Sequence, residues 1–231
     1  MKNNLKINMF GQSFELIGEN EDINLVAKSS QLKNWLERMD KRFIIKKILV
    51  QAVDRRYDGG LLFAKLHADV IDHNGNLMHG ALFMRGDAVA MLIILKSKDE
   101  KWVVLTSQPR FPVGVYESIE IPAGMMDDKG DFVSTAAKEI EEEVGIKVNA
   151  NQLIYLNEFF ASCGGCDESI KMYFCEIEMP KEKIEKLHGK ITGAEHENEK
   201  LRVIIVPFDE LPKHTRDPKS LLAYCQYKGM I

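Results

Sequence analysis

Residues 124–146, GMMDDKGDFVSTAAKEIEEEVGI, concentrate the side chains of this protein best suited to chemistry. A loop of Gly, Met, Asp and Lys follows Pro122, and the pattern after it predicts a short helix ending near Gly145. Glu139, Glu142 and Glu143 stand three and four residues apart on that helix. At roughly 100° per residue this spacing sets three carboxylates side by side on one face. Ala136, Ala137, Ile140 and Val144 fall on a neighbouring face suited to a core. Like charges so placed repel by about a few tenths of a kcal/mol per exposed pair. One reading is a solvated acidic face, since Glu-rich helix surfaces are common. The other is a set of hard oxygen ligands for divalent cations, Mg²⁺ being the ordinary occupant and Mn²⁺ the alternative.

The spacing of the whole stretch decides between them. It resembles the box of the Nudix hydrolases, G-x5-E-x7-R-E-U-x-E-E-x-G-U, where U is aliphatic. Gly124 matches the opening Gly, Glu139 the Glu of the RE pair and Ile140 the aliphatic site. Glu142 and Glu143 match the EE pair, and Gly145 and Ile146 the close. Two positions depart: Lys138 stands where the family has Arg, and Gly130 where it has the first Glu. In the family that Glu takes part in the loop's electrostatics, often pairing with the Arg. The two changes therefore read as linked, with Asp131, Asp128 or Asp127 as replacement partners for the cation.

The resemblance implies an α/β fold, the Nudix α/β/α sandwich with a mixed sheet, preceded by a small antiparallel N-terminal sheet. It implies metal ligation by Glu139, Glu143, Glu142 and the main-chain carbonyl of Ala123, a ligand no side-chain pattern could reveal. Three features together resemble the ADP-sugar diphosphatases of the family, including the plant type. They are strands ahead of the box domain, the segment FMRGDAVA that carries Arg85, and the loop GGCDE with Gly164 and Gly165. That branch implies hydrolysis of ADP-ribose or ADP-glucose to AMP and a sugar phosphate. The alternatives are another nucleoside diphosphate derivative (UDP-glucose, coenzyme A, an oxidised nucleotide) or a non-catalytic reader of nucleotide sugars, the latter suggested by Gly130.

Around this centre the chain divides into 1–41, an extension with one amphipathic helix; 42–85, a sheet region; and 86–231, the hydrolase domain. Residues 30–40 carry Leu32, Trp35, Leu36 and Met39 on one side of a helix. The runs RFIIKKILVQAV, LLFAKLHADVID and GALFMRG read as consecutive strands, divided by Asp58-Gly59-Gly60 and His73-Asn74-Gly75-Asn76. By resemblance this sheet forms a homodimer and lends residues such as Arg85 to the substrate pocket. DAVAMLIILKS and KWVVLTSQPR predict an antiparallel pair across a turn at 98–101. The second strand ends at Arg110, and SIEIPAG brings Glu120 to the box. As isolated charges both read as surface residues; the resemblance makes them holders of substrate or metal.

Beyond the box, two strands flank the loop Ser162-Cys163-Gly164-Gly165-Cys166-Asp167-Glu168. Its C-x-x-C could bind zinc or do redox chemistry, yet no second Cys or His pair completes a tetrahedral site. A Gly-Gly turn that a ligand approaches closely is the favoured reading, and in the plant-type relatives the loop borders the terminal sugar. A polar helix, PKEKIEKLHG, then leads to an acidic run with Glu195, Glu197 and Glu199 before the strand LRVIIVP. Such a run is ordinarily a solvated loop. By resemblance Glu197 matches the catalytic base of ADP-ribose hydrolases, and Glu199 is the Glu more widely shared with the plant enzymes; the sequence leaves both open. The last segment, from Asp217-Pro218, reads as a helix turning Leu221, Leu222 and Cys225 to the core.

Composition sets the bounds. A chain of 231 residues is long enough for one main domain with a smaller attachment. A net charge of −4, with no basic stripe interleaved with aromatics, argues against a nucleic-acid or membrane-surface partner. There is no apolar run of a membrane span's length and no secretory signal pattern at the start, and four cysteines make no disulfide framework at this size. A small-molecule nucleotide sugar as ligand, and a cytoplasmic location, follow as expectations.

Overall fold

The computed structural model describes residues 3–126, 131–193 and 200–231. They form two compact units, Met1–Asp87 with Phe160–Ser169, and Ala88–Phe159 with Ile170–Ile231, each with its own core.

In the first unit, Leu5, Ile7 and Met9 alternate along β1 (Asn3–Met9), and Phe14 and Leu16 along β2 (Gln12–Gly18). The strands pair antiparallel with Met9 opposite Gln12. Phe10 and Gly11 make the link, both at positive φ (50° and 80°), as primed hairpin turns require. Helices α1 (Asn20–Lys28) and α2 (Ser30–Glu37) follow, the second opened by Ser29, whose hydroxyl oxygen accepts the Leu32 N–H. The chain then enters β3 (Ile44–Arg55), β4 (Leu61–Ile71) and β5 (Ala81–Met84), in sheet order β1-β2-β3-β4-β5. The three strands expected over 42–85 are present and pair antiparallel. The first 41 residues contribute more than the one helix expected of them: two further strands and a second helix. Because β2 runs parallel to β3, with Leu16 opposite Ile48, the five-stranded sheet is mixed. Leu16, Ile23, Val26, Leu32, Leu36, Ile48 and Leu66 form its dry centre.

In the second unit, β6 (Ala88–Ser97) is buried from residue 88 through 95. A strand apolar on both faces has to be covered on both. Val89, Met91, Ile93 and Leu95 pack with Ala136, Ile140 and Val144. Ala88, Ala90, Leu92 and Ile94 pack with Phe208, Leu211 and Ala223. The former helical layer is α3 (Phe132–Val144), reached through β7 (Glu100–Arg110), β8 (Val115–Glu120) and the short β9 (Ala123–Met125). After it come β10 (Ile154–Phe160), β11 (Ser169–Glu178), α4 (Lys181–Glu185), β12 (Ile191–Thr192) and β13 (Leu201–Pro207). Helices α5 (Leu211–His214) and α6 (Pro218–Tyr227) complete the other layer.

The sheet order is β10-β11-β6-β7-β13-β12, with β8 on β7 and β9 on β6. Strand β11 runs parallel to β6, whereas β7, β9 and β13 make antiparallel pairs. This is the α/β/α sandwich with a mixed sheet that the sequence implied. One detail differs: α6 buries Ser220 and Ala223, with Leu221 and Leu222 only partly covered and Cys225 half-buried. Small residues let that helix lie close on β6. Among the described residues no helix is long and apolar enough to cross a membrane.

Candidate active site

The acidic helix is built from both ends. Asp131 caps its start, accepting the Val133 and Ser134 N–H groups and the Ser134 hydroxyl. These bonds, the Ser134 N–H first, hold the Asp131 carboxyl below its usual range. Gly145 ends the helix at φ 73°, its N–H on the Glu141 carbonyl. Asp131 is therefore a cap and not the new partner of Lys138, which pairs with Glu142 at 3.5 Å. Asp127, Asp128 and Gly130 lie outside the described residues.

Strand β9 supplies the other wall. The Ala123 N–H donates to Glu143 Oε2 at 3.2 Å, and Glu143 is only 2% exposed. At Gly124 an added Cβ would lie 2.0 Å from both Cδ and Oε1 of Glu139. A bare α-carbon is what lets that carboxylate rest against the chain. Glu139 and Glu143, one turn apart, thus lie against two consecutive residues of β9, Ala123 and Gly124. Glu142, the residue before Glu143, is partly exposed and carries the Lys138 ion pair. Among the described residues no three His, Cys, Asp or Glu side chains converge as a metal cage. Two carboxylates, with the Ala123 carbonyl that the resemblance adds, are nonetheless a hard, anionic oxygen set of the kind that suits Mg²⁺ or Mn²⁺.

Arg110 and Glu120 face each other across the β7–β8 pair. Nε donates to Oε1 and an Nη to Oε2, each at 2.9 Å. Lys219 Nζ lies 3.2 Å from the same carboxylate and 2.7 Å from Asp217. Burial is the largest influence on Glu120 and opposes its charge. The Arg110 hydrogen bonds with the Lys219 and Arg110 charges outweigh it and bring its pKa down to about 2. Glu120 is accordingly an anion that aims two cations. The stretch leading to the box is pinned from α6 and its approach: Thr215 Oγ donates to the Ile119 carbonyl, and Ser220 Oγ accepts the Ile121 N–H. Lys219, Ser220 and Thr215 carry no signal in sequence beyond the Asp217-Pro218 helix start that places them.

The catalytic-base candidates Glu197 and Glu199 lie outside the described residues. The chain entering that stretch is fixed to the end of α3: the Thr192 hydroxyl donates to the Glu143 carbonyl, and the Gly193 N–H to the Glu142 carbonyl at 3.2 Å. These bonds satisfy carbonyls that a helix end leaves open.

Arg85, Gly164 and Gly165 come together in the first unit. The Phe83 N–H donates to the Gly165 carbonyl at 2.7 Å. Buried Asp167 accepts the Arg85 and Gly86 N–H groups. Arg85 Nε donates to Glu168 Oε1 at 2.7 Å while its guanidinium stacks over the Phe63 ring. Arg38, at the end of α2, donates to Asp87 and to the Asp167 carbonyl. A Cβ at either loop glycine would meet nothing within 4 Å, so both backbones face open space.

The family model described as NUDIX domain matches residues 84–225. Nudix hydrolase 14, chloroplastic, of Arabidopsis thaliana is 38% identical over 226 residues, covering 90% of this chain and 72% of that protein. The ADP-ribose pyrophosphatase of Bacillus subtilis is 31% identical over 108 residues, 47% of this chain and 55% of the relative. The methanol dehydrogenase activator of Bacillus methanolicus is 33% identical over 110 residues, 47% of this chain and 56% of the relative. Among solved structures, an ADP compounds hydrolase superposes with a TM-score of 0.55 at 16% identity, over 84% of this chain and all of that one. At that identity the likeness is one of fold.

Proposed function

This chain belongs to the Nudix family, and from that premise we propose that it hydrolyses the diphosphate bond of an ADP-sugar, ADP-ribose or ADP-glucose, to AMP and a sugar phosphate. The observation that carries the reading is the pair Glu139 and Glu143 laid against Ala123 and Gly124, with Gly124 bare so that Glu139 fits. One relative, an ADP-ribose pyrophosphatase, points to the substrate class.

Family members depend on a divalent cation; here the proposed ion is Mg²⁺, with Mn²⁺ as alternative, held by Glu139, Glu143, Glu142 and the Ala123 carbonyl. Such an ion, when bound, supplies positive charge against the diphosphate and lowers the pKa of an attacking water. The chain's own residues do the rest. Glu143, buried and hydrogen-bonded, keeps its carboxylate in one orientation, and Glu142 carries the Lys138 ion pair. Arg110, aimed by Glu120, binds a phosphate oxygen or the terminal ribose through charge-assisted hydrogen bonds. Glu197 or Glu199 takes the water's proton. By the family resemblance Arg85, Gly164 and Gly165 are assigned to contacts with the sugar. Homodimerisation through the first unit's sheet belongs to the same proposal, and sedimentation velocity tests it.

The defining experiment offers ADP-ribose, ADP-glucose and UDP-glucose, each with Mg²⁺ and with chelator, and identifies the products. AMP from an ADP-sugar only with the cation is the expected result. UMP release outpacing AMP would move the substrate class, and tight binding without turnover would make the protein a reader of nucleotide sugars.

A further inference from the structure

The C-x-x-C of the first unit is not absorbed by this function. No second Cys or His pair stands beside it in the sequence to complete a tetrahedral metal site. The fold of the loop instead bears on the two thiols alone. The Ser162 carbonyl accepts the N–H of Gly165 at 3.2 Å and of Cys166 at 3.0 Å. Residues 163–165 are thereby wound into a single helical turn. Side chains three apart on such a turn start about 5–6 Å apart at Cβ, and a disulfide wants about 3.5–4.5 Å there. The remaining closure is small, and the two residues between are both glycine, with nothing within 4 Å of where a Cβ would stand. No side chain on the loop resists it.

The Cys166 end of the loop is held. Gly165 and Asp167 bracket Cys166 with main-chain hydrogen bonds to Phe83, and the buried Asp167 carboxylate grips the Arg85 and Gly86 N–H groups. The two cysteines differ in access. Cys163 is exposed and Cys166 half-buried. The charges facing Cys166 are Asp167 and Glu168, opposing its thiolate, and Arg85, favouring it. An exposed attacking thiol beside a sheltered one is the arrangement of a dithiol in which the first sulfur reacts and the second resolves. The other two cysteines lack it: Cys175 is buried in the sheet, its thiol pushed up to about 12 by desolvation, and Cys225 stands on α6.

We propose that Cys163 and Cys166 form a reversible intraloop disulfide with small-molecule disulfide oxidants. The Cys163 thiolate attacks one sulfur of glutathione disulfide, forming a mixed disulfide and releasing one glutathione thiolate. Cys166, giving its proton to solvent, then attacks Cys163 Sγ, and the second glutathione thiolate leaves. Two protein thiols lose two electrons and two protons, and one glutathione disulfide becomes two glutathiones.

The test incubates the full-length protein in glutathione redox buffers of graded ratio, quenches with a thiol alkylator in acid-trapped, denatured samples, and reads intact mass and peptide maps. The expected product has lost two hydrogen masses, carries a 163–166 link, retains alkylated Cys175 and Cys225, and returns to the starting mass with a reductant. Cys166→Ser should stop at the glutathione adduct on Cys163, and Cys163→Ser should give neither adduct nor link. A stable glutathione adduct on the wild-type protein, a link between molecules, or a link involving Cys175 or Cys225 would each overturn the proposal. Because the readout is covalent, its failure is independent of whether the protein cleaves ADP-sugars.

Discussion

Replacing Gly124 by Ala tests the site at its tightest point. The new methyl carbon would stand 2.0 Å from Cδ and Oε1 of Glu139 and 2.5 Å from its Cγ. Carbon contacts begin near ~3.5 Å, so the carboxyl end must retreat by roughly 1.5 Å. The fold can absorb this. Gly124 lies in β9 without a positive φ, so Ala fits its backbone and gains about 0.4–1 kcal/mol from the unfolded side. Moving Glu139 off its rotamer costs about 0.5–1.5 kcal/mol. Stability should therefore change by less than about 1 kcal/mol. Catalysis has no such latitude, since a misplacement of about 1 Å is worth ~10²-fold in rate, or ~2.7 kcal/mol of barrier. Steady-state AMP release at saturating Mg²⁺, run beside a thermal melt, separates the two effects. If Gly124 acts through Glu139, the double variant Gly124→Ala, Glu139→Gln should be no slower than Glu139→Gln alone. A Gly124→Ala protein with turnover within about threefold of wild type would refute the claim that Glu139 works where it lies.

Three further outcomes follow from the same geometry. Glu120, with its pKa lowered from 4.5 to about 2, stabilises the fold fully above its unfolded value, and this contribution is lost as pH falls from about 4.5 through about 2. It is worth roughly 3 kcal/mol, so the urea midpoint of Glu120→Gln should trail wild type at pH 7 and approach it in acid. Thr192→Val removes the donor to the Glu143 carbonyl and should cost about 1 kcal/mol in urea unfolding, with Thr192→Ser restoring most of it. Arg38→Met leaves Asp87 and the Asp167 carbonyl without their cation and should cost about 3 kcal/mol; a loss near zero would show these groups find water instead.

The acidic helix was legible because carboxylate spacing, an apolar face and a closing Gly all report on one element. The two-sided burial of β6 was equally plain in its unbroken apolar run. Residues 3–18 were not read as a hairpin, although Leu5, Ile7 and Met9 alternate. Their turn places Phe10 at positive φ, where Asn, Asp or Gly would have announced it. Asp131 stands close enough in sequence to Lys138 to suggest an ion pair, but its place before Val133 and Ser134 makes it a cap. The Lys138–Glu142 pair follows directly from their i, i+4 spacing on one helix. Contacts from afar left no trace in local pattern: Lys219 reaching Glu120, Ser220 holding Ile121, Arg38 joining Asp87 to the loop at Asp167.

The central claim is that Glu143, locked on the Ala123 N–H, takes part in metal-assisted cleavage of an ADP-sugar. Its most direct test is AMP release from ADP-ribose in Mg²⁺ by wild type and by Glu143→Gln, which keeps the shape and the hydrogen-bond acceptor. The account predicts a fall of about 10³-fold or more in turnover with an unchanged melting temperature. Near-normal turnover by the folded variant would contradict it.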